Sequence, residues 1–215
     1  MIKACLFDLD GVIVDTAKYH YIAWRELAKE MGFDFTENDN ERLKGVSRMA
    51  SLDILLEIGG IELNQEEKEK LATRKNEHYL SFILKMEPDE ILPGARAFLE
   101  TCRENGIATA LGSASKNAMT ILNRLELTHL FDAIVDGNKT AKAKPDPEVF
   151  LKGAEELGVE ASQCVVFEDA EAGVEAALAA GMKCVGIGSP DILSKADIVI
   201  SGLDQMDIQK LTNLI

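Results

Sequence analysis

Leu6-Phe7-Asp8-Leu9-Asp10-Gly11-Val12-Ile13-Val14-Asp15-Thr16 is the stretch that decides the fold of this 215-residue chain. An apolar run, Ala4 to Phe7, stops at Asp8, and Asp10 and Gly11 follow at once. A short apolar run bounded by a turn signal reads as a buried strand. Two carboxylates so close together are costly inside a core. At the C-terminal end of a parallel strand they lie instead in the crevice where open α/β sheets bind ligands. A carboxylate pair in that position can hold a hard cation and attack a phosphorus atom. Taken alone, Asp8 and Asp10 read as well as turn formers closing an ordinary strand. The rest of the chain decides between the two.

After Asp15 the period changes. Ile22, Ala23, Trp24, Leu27, Ala28 and Met31 make one helix face that closes at Gly32. Residues 48–58 read as a second helix ending at Gly59-Gly60, and Gln65 to Met86 as a long charged one. Pro88 and Pro93-Gly94 punctuate the exit. From Ala95 onward the pattern alternates: helix 95–104, strand 107–111, helix 116–125, strand 133–135, helix 147–157, strand 164–167, helix 170–180, strand 184–187, strand 198–200 and helix 206–214. Such alternation predicts an α/β fold, a Rossmann-like parallel sheet with helices on both faces. Residues 1–15 and 87–215 then form the core domain. Residues 16–86 form an all-helical cap inserted after the first strand, next to the carboxylates.

Composition narrows the function classes. Asp and Glu number 37 against 23 Lys and Arg, a formal net charge of −14. That balance argues against sequence-independent nucleic-acid binding and against an anionic membrane surface. Anionic substrates would need a few cations clustered at their site. No run approaches ~18 apolar residues, and Asp8 and Asp10 interrupt any signal-peptide-like segment, so a cytoplasmic location is expected. Cys5, Cys102, Cys164 and Cys184 show no metal-ligand spacing, and three lie in strand-like runs; they read as free buried thiols. A monomer is expected.

Three further segments fall at expected strand ends. Gly112-Ser113-Ala114-Ser115-Lys116-Asn117 follows the second strand and opens a helix. It could cradle a phosphate with backbone N–H groups and a hydroxyl, or serve as a Ser-rich N-cap. Lys144 precedes Pro145, which restricts its backbone, and could neutralise a transferring phosphoryl group. Glu168-Asp169 ends the strand at Phe167 and repeats the first acidic pattern. Four carboxylates at one sheet edge repel unless a cation sits among them, and oxygen-only ligands indicate Mg²⁺.

This ordered set resembles the haloacid dehalogenase superfamily of phosphotransferases. The resemblance implies that Asp8 is the nucleophile that becomes an aspartyl phosphate, and that Asp10 is the general acid/base. It implies that Mg²⁺ lies among Asp8, the Asp10 carbonyl, Glu168 and Asp169, and that Ser113, Ala114 and Lys144 hold the transferring phosphate. Within the superfamily, Thr16, His20, Trp24, the run Leu43 to Arg48, Ser51, Lys75 and the loop 113–117 resemble the sugar-phosphate mutases. By that resemblance Arg48, Ser115, Lys116 and Asn117 grip the phosphate not being transferred. Thr16, His20, Trp24, Lys44, Gly45, Ser51 and Lys75 surround the sugar. The expected partners are a sugar phosphate and its bisphosphate. The expected reaction interconverts β-glucose 1-phosphate and glucose 6-phosphate, with hydrolysis of sugar phosphates as the alternative.

Overall fold

The computed structural model describes residues 1–43 and 46–214. Lys44 and Gly45, expected near the sugar, lie outside the described residues. The chain divides into two compact units, Met1–Asp15 with Glu87–Ile215, and Thr16–Met86.

In the first unit, six strands form one parallel sheet among the described residues: β1 (Ala4–Phe7), β2 (Ala108–Gly112), β3 (Ala133–Val135), β4 (Cys164–Glu168), β5 (Lys183–Ile187) and β6 (Ile198–Ile200), in the order β3-β2-β1-β4-β5-β6. β1 is therefore central. Its Phe7 pairs in register with Leu111 on one side and Phe167 on the other. That register sets Asp8, the residues after Leu111 and Glu168 along one carboxyl edge.

Successive strand residues face opposite sides of a sheet. Leu6 lies so near Gly153 that a Cβ there would come within 2.8 Å of it, whereas Phe7 stacks on Phe167 at 4.8 Å and meets Phe98 edge-on at 6.1 Å. Helices therefore cover both faces, as the near-continuous apolar strands require.

In the second unit, α1 (Ala17–Glu30), α2 (Glu37–Glu41), α3 (Arg48–Gly59) and α4 (Gln65–Ile83) enclose Trp24, Leu27, Ala28, Phe35, Leu52, Leu55, Leu56 and Ala72. Side chains fix the helix starts. Thr36 and Asp39, and Asn64 and Glu67, each form a reciprocal capping box. The Ser47 hydroxyl accepts from the Ala50 amide at the start of α3.

The first unit continues with α5 (Ala95–Glu104), α6 (Ala118–Arg124), α7 (Glu148–Leu157), α8 (Glu171–Ala179) and α9 (Ile208–Thr212). Sequence periodicity overextends several ends. α6 opens at Ala118, two residues later than expected, because the Ser113 and Ser115 hydroxyls accept from the Ser115 and Asn117 amides. Such local bonds offer the backbone an alternative to helix. α9 begins only at Ile208, after Asp207 accepts from the Lys210 amide as N-cap. Among the described residues no helix is long and apolar enough to cross a membrane.

Candidate active site

Asp8 is the first residue past β1, and its amide still donates to the Phe167 carbonyl at 3.0 Å. The ladder thus continues one residue beyond the strand and fixes where the carboxylate leaves the edge. Gly11 then turns the chain at φ +79°, and its amide donates to Val14. A Cβ at Gly11 would stand 2.1 Å from Asp169 Oδ2. The sequence Asp-x-Asp-Gly therefore does two things here: the glycine permits the turn and leaves room for an acid from β4's end.

Lys144 joins the edge from the loop between β3 and α7. Its Nζ donates to Asp8 Oδ1 at 2.6 Å and to Glu168 Oε1 at 2.5 Å. The lysine side chain is 3% exposed and the two acids 10% and 1%. Burial by itself would lower the lysine's pKa, but Asp8 and Glu168 outweigh it and hold the ammonium charged. Glu168 is pushed up by burial, an effect Lys144 only partly offsets. Its second oxygen accepts from the Ala170 amide at 2.9 Å. Room for this carboxylate comes from Gly173 in α8, where a Cβ would fall 1.9 Å from Glu168 Cδ.

Ser113 is buried at the end of β2, and its amide donates to the Val135 carbonyl at 3.0 Å. Ala114 and Ser115 are partly buried and Lys116 is exposed, so the loop turns outward from a buried hydroxyl to a solvated ammonium.

Asp169 shows what this edge lacks. Its carboxyl is raised to about 8, first by burial and then by Glu168, Asp8 and Asp10. One lysine does not neutralise four acids. Among the described residues no three His, Cys, Asp or Glu side chains converge as a ready-made metal cage. Mg²⁺ does not require a preformed all-protein cage, since it keeps several of its waters. An all-oxygen donor set and an excess of negative charge fit such a cation.

The expected sugar contacts lie in the helical unit. His20 Nδ1 and Lys75 Nζ are 2.7 Å apart. The His20 pKa lies well below its usual value because of burial, then Lys75 and Arg48, so the ring is neutral and accepts from the ammonium. Lys75 is buried, with its Nζ 4.3 Å from the centroid of Trp24 and 4.9 Å from that of Tyr79. Trp24 is 2% exposed and packs in the core of this unit. Its indole meets Lys75 and presents almost no surface of its own. Thr16 and Ser51 are also buried, and Arg48 is partly buried at the first position of α3.

Two parts of this arrangement carry no functional mark in the sequence pattern. Tyr79, on α4, stacks on His20 at 4.1 Å. Its spacing of four from Lys75 was the available signal. The loop Asp136–Asn138 abuts the Ser113 loop, and nothing in its local sequence announces that contact.

A parallel sheet whose carboxyl edge gathers an acid pair, a buried lysine and a second acid, with a helical unit inserted after the first strand, defines the haloacid dehalogenase-like class of α/β enzymes. The model of the haloacid dehalogenase-like hydrolase family matches residues 2–181, and the chain belongs to that family. It is 43% identical over 211 residues to β-phosphoglucomutase of Bacillus subtilis (strain 168), covering 97% of this chain and 93% of that one. The crystal structure of β-phosphoglucomutase from Clostridium difficile superimposes with a TM-score of 0.96 at 44% identity, over 100% of this chain and 97% of that one. A phosphorylated carbohydrates phosphatase of Thermotoga maritima is 36% identical, covering 84% of this chain and 82% of its own.

Proposed function

We propose that this enzyme is a β-phosphoglucomutase, interconverting β-glucose 1-phosphate and glucose 6-phosphate through a sugar bisphosphate. The observation that carries phosphoryl transfer is the 2.6 Å contact between Asp8 and the buried Lys144 at the sheet's carboxyl edge. A carboxylate held beside a fixed cation is an activated nucleophile for an anionic phosphorus centre. The choice of mutase is supported by similarity along nearly the whole chain to a β-phosphoglucomutase.

In this reading an Asp8 oxygen attacks phosphorus, and the bond from phosphorus to the sugar oxygen breaks. Asp10 gives its proton to the departing oxygen. In the second half an acceptor hydroxyl of the sugar attacks the aspartyl phosphate and its proton passes to Asp10. Ser113, Ala114 and Lys144 hold the transferring group. Arg48 in the helical unit, and Ser115, Lys116 and Asn117 in the α/β unit, take the other phosphate. Thr16, His20, Ser51 and Lys75 bind the sugar, with Trp24 backing Lys75. Mg²⁺ held by Asp8, the Asp10 carbonyl, Glu168 and Asp169 would offset the charge of the phosphoryl group and its acids.

The phosphatase relative favours a second reading, in which water is the acceptor. A coupled assay separates them. With β-glucose 1-phosphate, Mg²⁺ and a trace of glucose 1,6-bisphosphate, the mutase forms glucose 6-phosphate with little inorganic phosphate. Phosphate released in step with substrate loss, without glucose 6-phosphate, would select the phosphatase.

A further inference from the structure

The loop after β3 is tied to the loop after β2 by bonds that local sequence does not explain. The Gly137 amide donates to the Ser115 carbonyl at 3.2 Å, and Asn138 Nδ2 donates to the Lys116 carbonyl at 3.0 Å. A Cβ on Gly137 would stand 2.2 Å from the Ala114 carbonyl oxygen and 3.2 Å from Lys116 Cγ. Only a residue without a side chain allows the two loops to approach this closely.

Asp136 aims the amide. Its carboxylate is buried, and it accepts from the Asn138 backbone N–H at 2.9 Å and from Asn138 Nδ2 at 3.0 Å. An ionised carboxylate is acceptor-only, so the Asn138 NH₂ must turn toward it. That orientation gives the second N–H of the same nitrogen to the Lys116 carbonyl. The Lys116 side chain is exposed, and this bond anchors the backbone from which it extends. On the other side, the Ser113 and Ser115 hydroxyls accept from the Ser115 and Asn117 amides and tighten the loop from within.

We propose that Asp136, Gly137 and Asn138 are positioning residues: by clamping the Ser115 and Lys116 carbonyls they set where Lys116 stands, and with it the hold on the second phosphate of a bisphosphate. The inference rests on the distal-phosphate role given to Lys116 above. None of the three needs to touch the substrate.

The test is the affinity of the intact protein for glucose 1,6-bisphosphate, measured calorimetrically beside KM, kcat and the rate at which acetyl phosphate phosphorylates Asp8. Asn138→Ala should weaken bisphosphate binding and raise KM by about 3- to 10-fold, the size of a lost hydrogen bond. Its kcat, and its reaction with acetyl phosphate, which carries no second phosphate, should stay within about twofold. Asn138→Asp, isosteric but without the NH₂, should be worse, since it sets a second carboxylate against Asp136 and the Lys116 carbonyl. A purely structural role would lower the melting temperature without this split. Unchanged affinity in both variants, or parallel loss of kcat and of the acetyl phosphate reaction, would overturn the inference. If the intact protein binds bisphosphate but only hydrolyses it, the mutase reading fails and the affinity comparison still decides this one. If it binds none, both fall.

Discussion

Lys144 holds its ammonium between Asp8 and Glu168, with both contacts at 2.6 Å or less. Two consequences belong to this single side chain. Removing one partner of a buried charge cluster leaves the others uncompensated and costs about 3–5 kcal/mol. Lys144→Ala should therefore melt well below the parent protein as well as lose turnover, and a melting curve alone reads the first effect. A variant with parental stability would show that Asp8 and Glu168 are solvated without the lysine. His20 gives the pH dependence. Its pKa is depressed by burial, then by Lys75 and Arg48. A base depressed in the folded state adds stability that is present above its unfolded pKa, about 6.5, and is lost as pH falls through the folded value. His20→Gln keeps an acceptor for Lys75 but has no proton to gain. Urea unfolding at pH 7.5 and pH 5 should show a smaller acid loss in the variant, and equal losses in the two proteins would contradict a neutral His20 facing Lys75.

At the scale of elements, strand ends are what the sequence reveals best. Phe7-Asp8, Leu111-Gly112 and Phe167-Glu168 are each an apolar run meeting a polar or small residue, and β1, β2 and β4 end within a residue of those junctions. Helix starts are less legible. α6 begins late because serine hydroxyls compete for its first amides, and that competition depends on a loop conformation no periodicity records. Which side chains bond to each other across strands is less legible still. Lys144 can be singled out by its proline neighbour, but its bond to Glu168 follows from sheet order, which sets β4 beside β1. The same holds for α8. Its Gly173 reads as a defect in a helix, where Gly→Ala usually stabilises by up to about 1 kcal/mol. Here a Cβ would fall 1.9 Å from Glu168 Cδ. Gly173→Ala should displace Glu168 and lower Mg²⁺-dependent turnover by roughly 10- to 100-fold, the usual cost of disturbing the support of a metal site. Steady-state kinetics across a Mg²⁺ titration checks this, and an unchanged titration would mean that the Glu168 position is not needed.

For the whole molecule, the proposed function asks a chain of net charge −14 to hold an anionic substrate with a handful of cations: Lys144 and Lys116 in one unit, Arg48 and Lys75 in the other. The parallel sheet and the inserted helices are legible from alternation and from its absence over residues 16–86. The cation groupings are not, because Lys75 is buried against Trp24 and Tyr79 while the neighbouring Arg74 pairs with Glu30 at the surface. Adjacent basic residues on one helix thus have different surroundings that their spacing does not disclose. In the proposed mutase reaction Asp8 relays the phosphoryl group from one sugar oxygen to another. Its most direct test is a rapid acid quench after mixing with radiolabelled glucose 1,6-bisphosphate, followed by peptide mapping and a chase with unlabelled glucose 1-phosphate. Label is expected on Asp8, absent in Asp8→Ala, and returned to sugar by the chase. Label on Ser113 or any other residue, label that persists in Asp8→Ala, or label that the chase releases only as inorganic phosphate would contradict it.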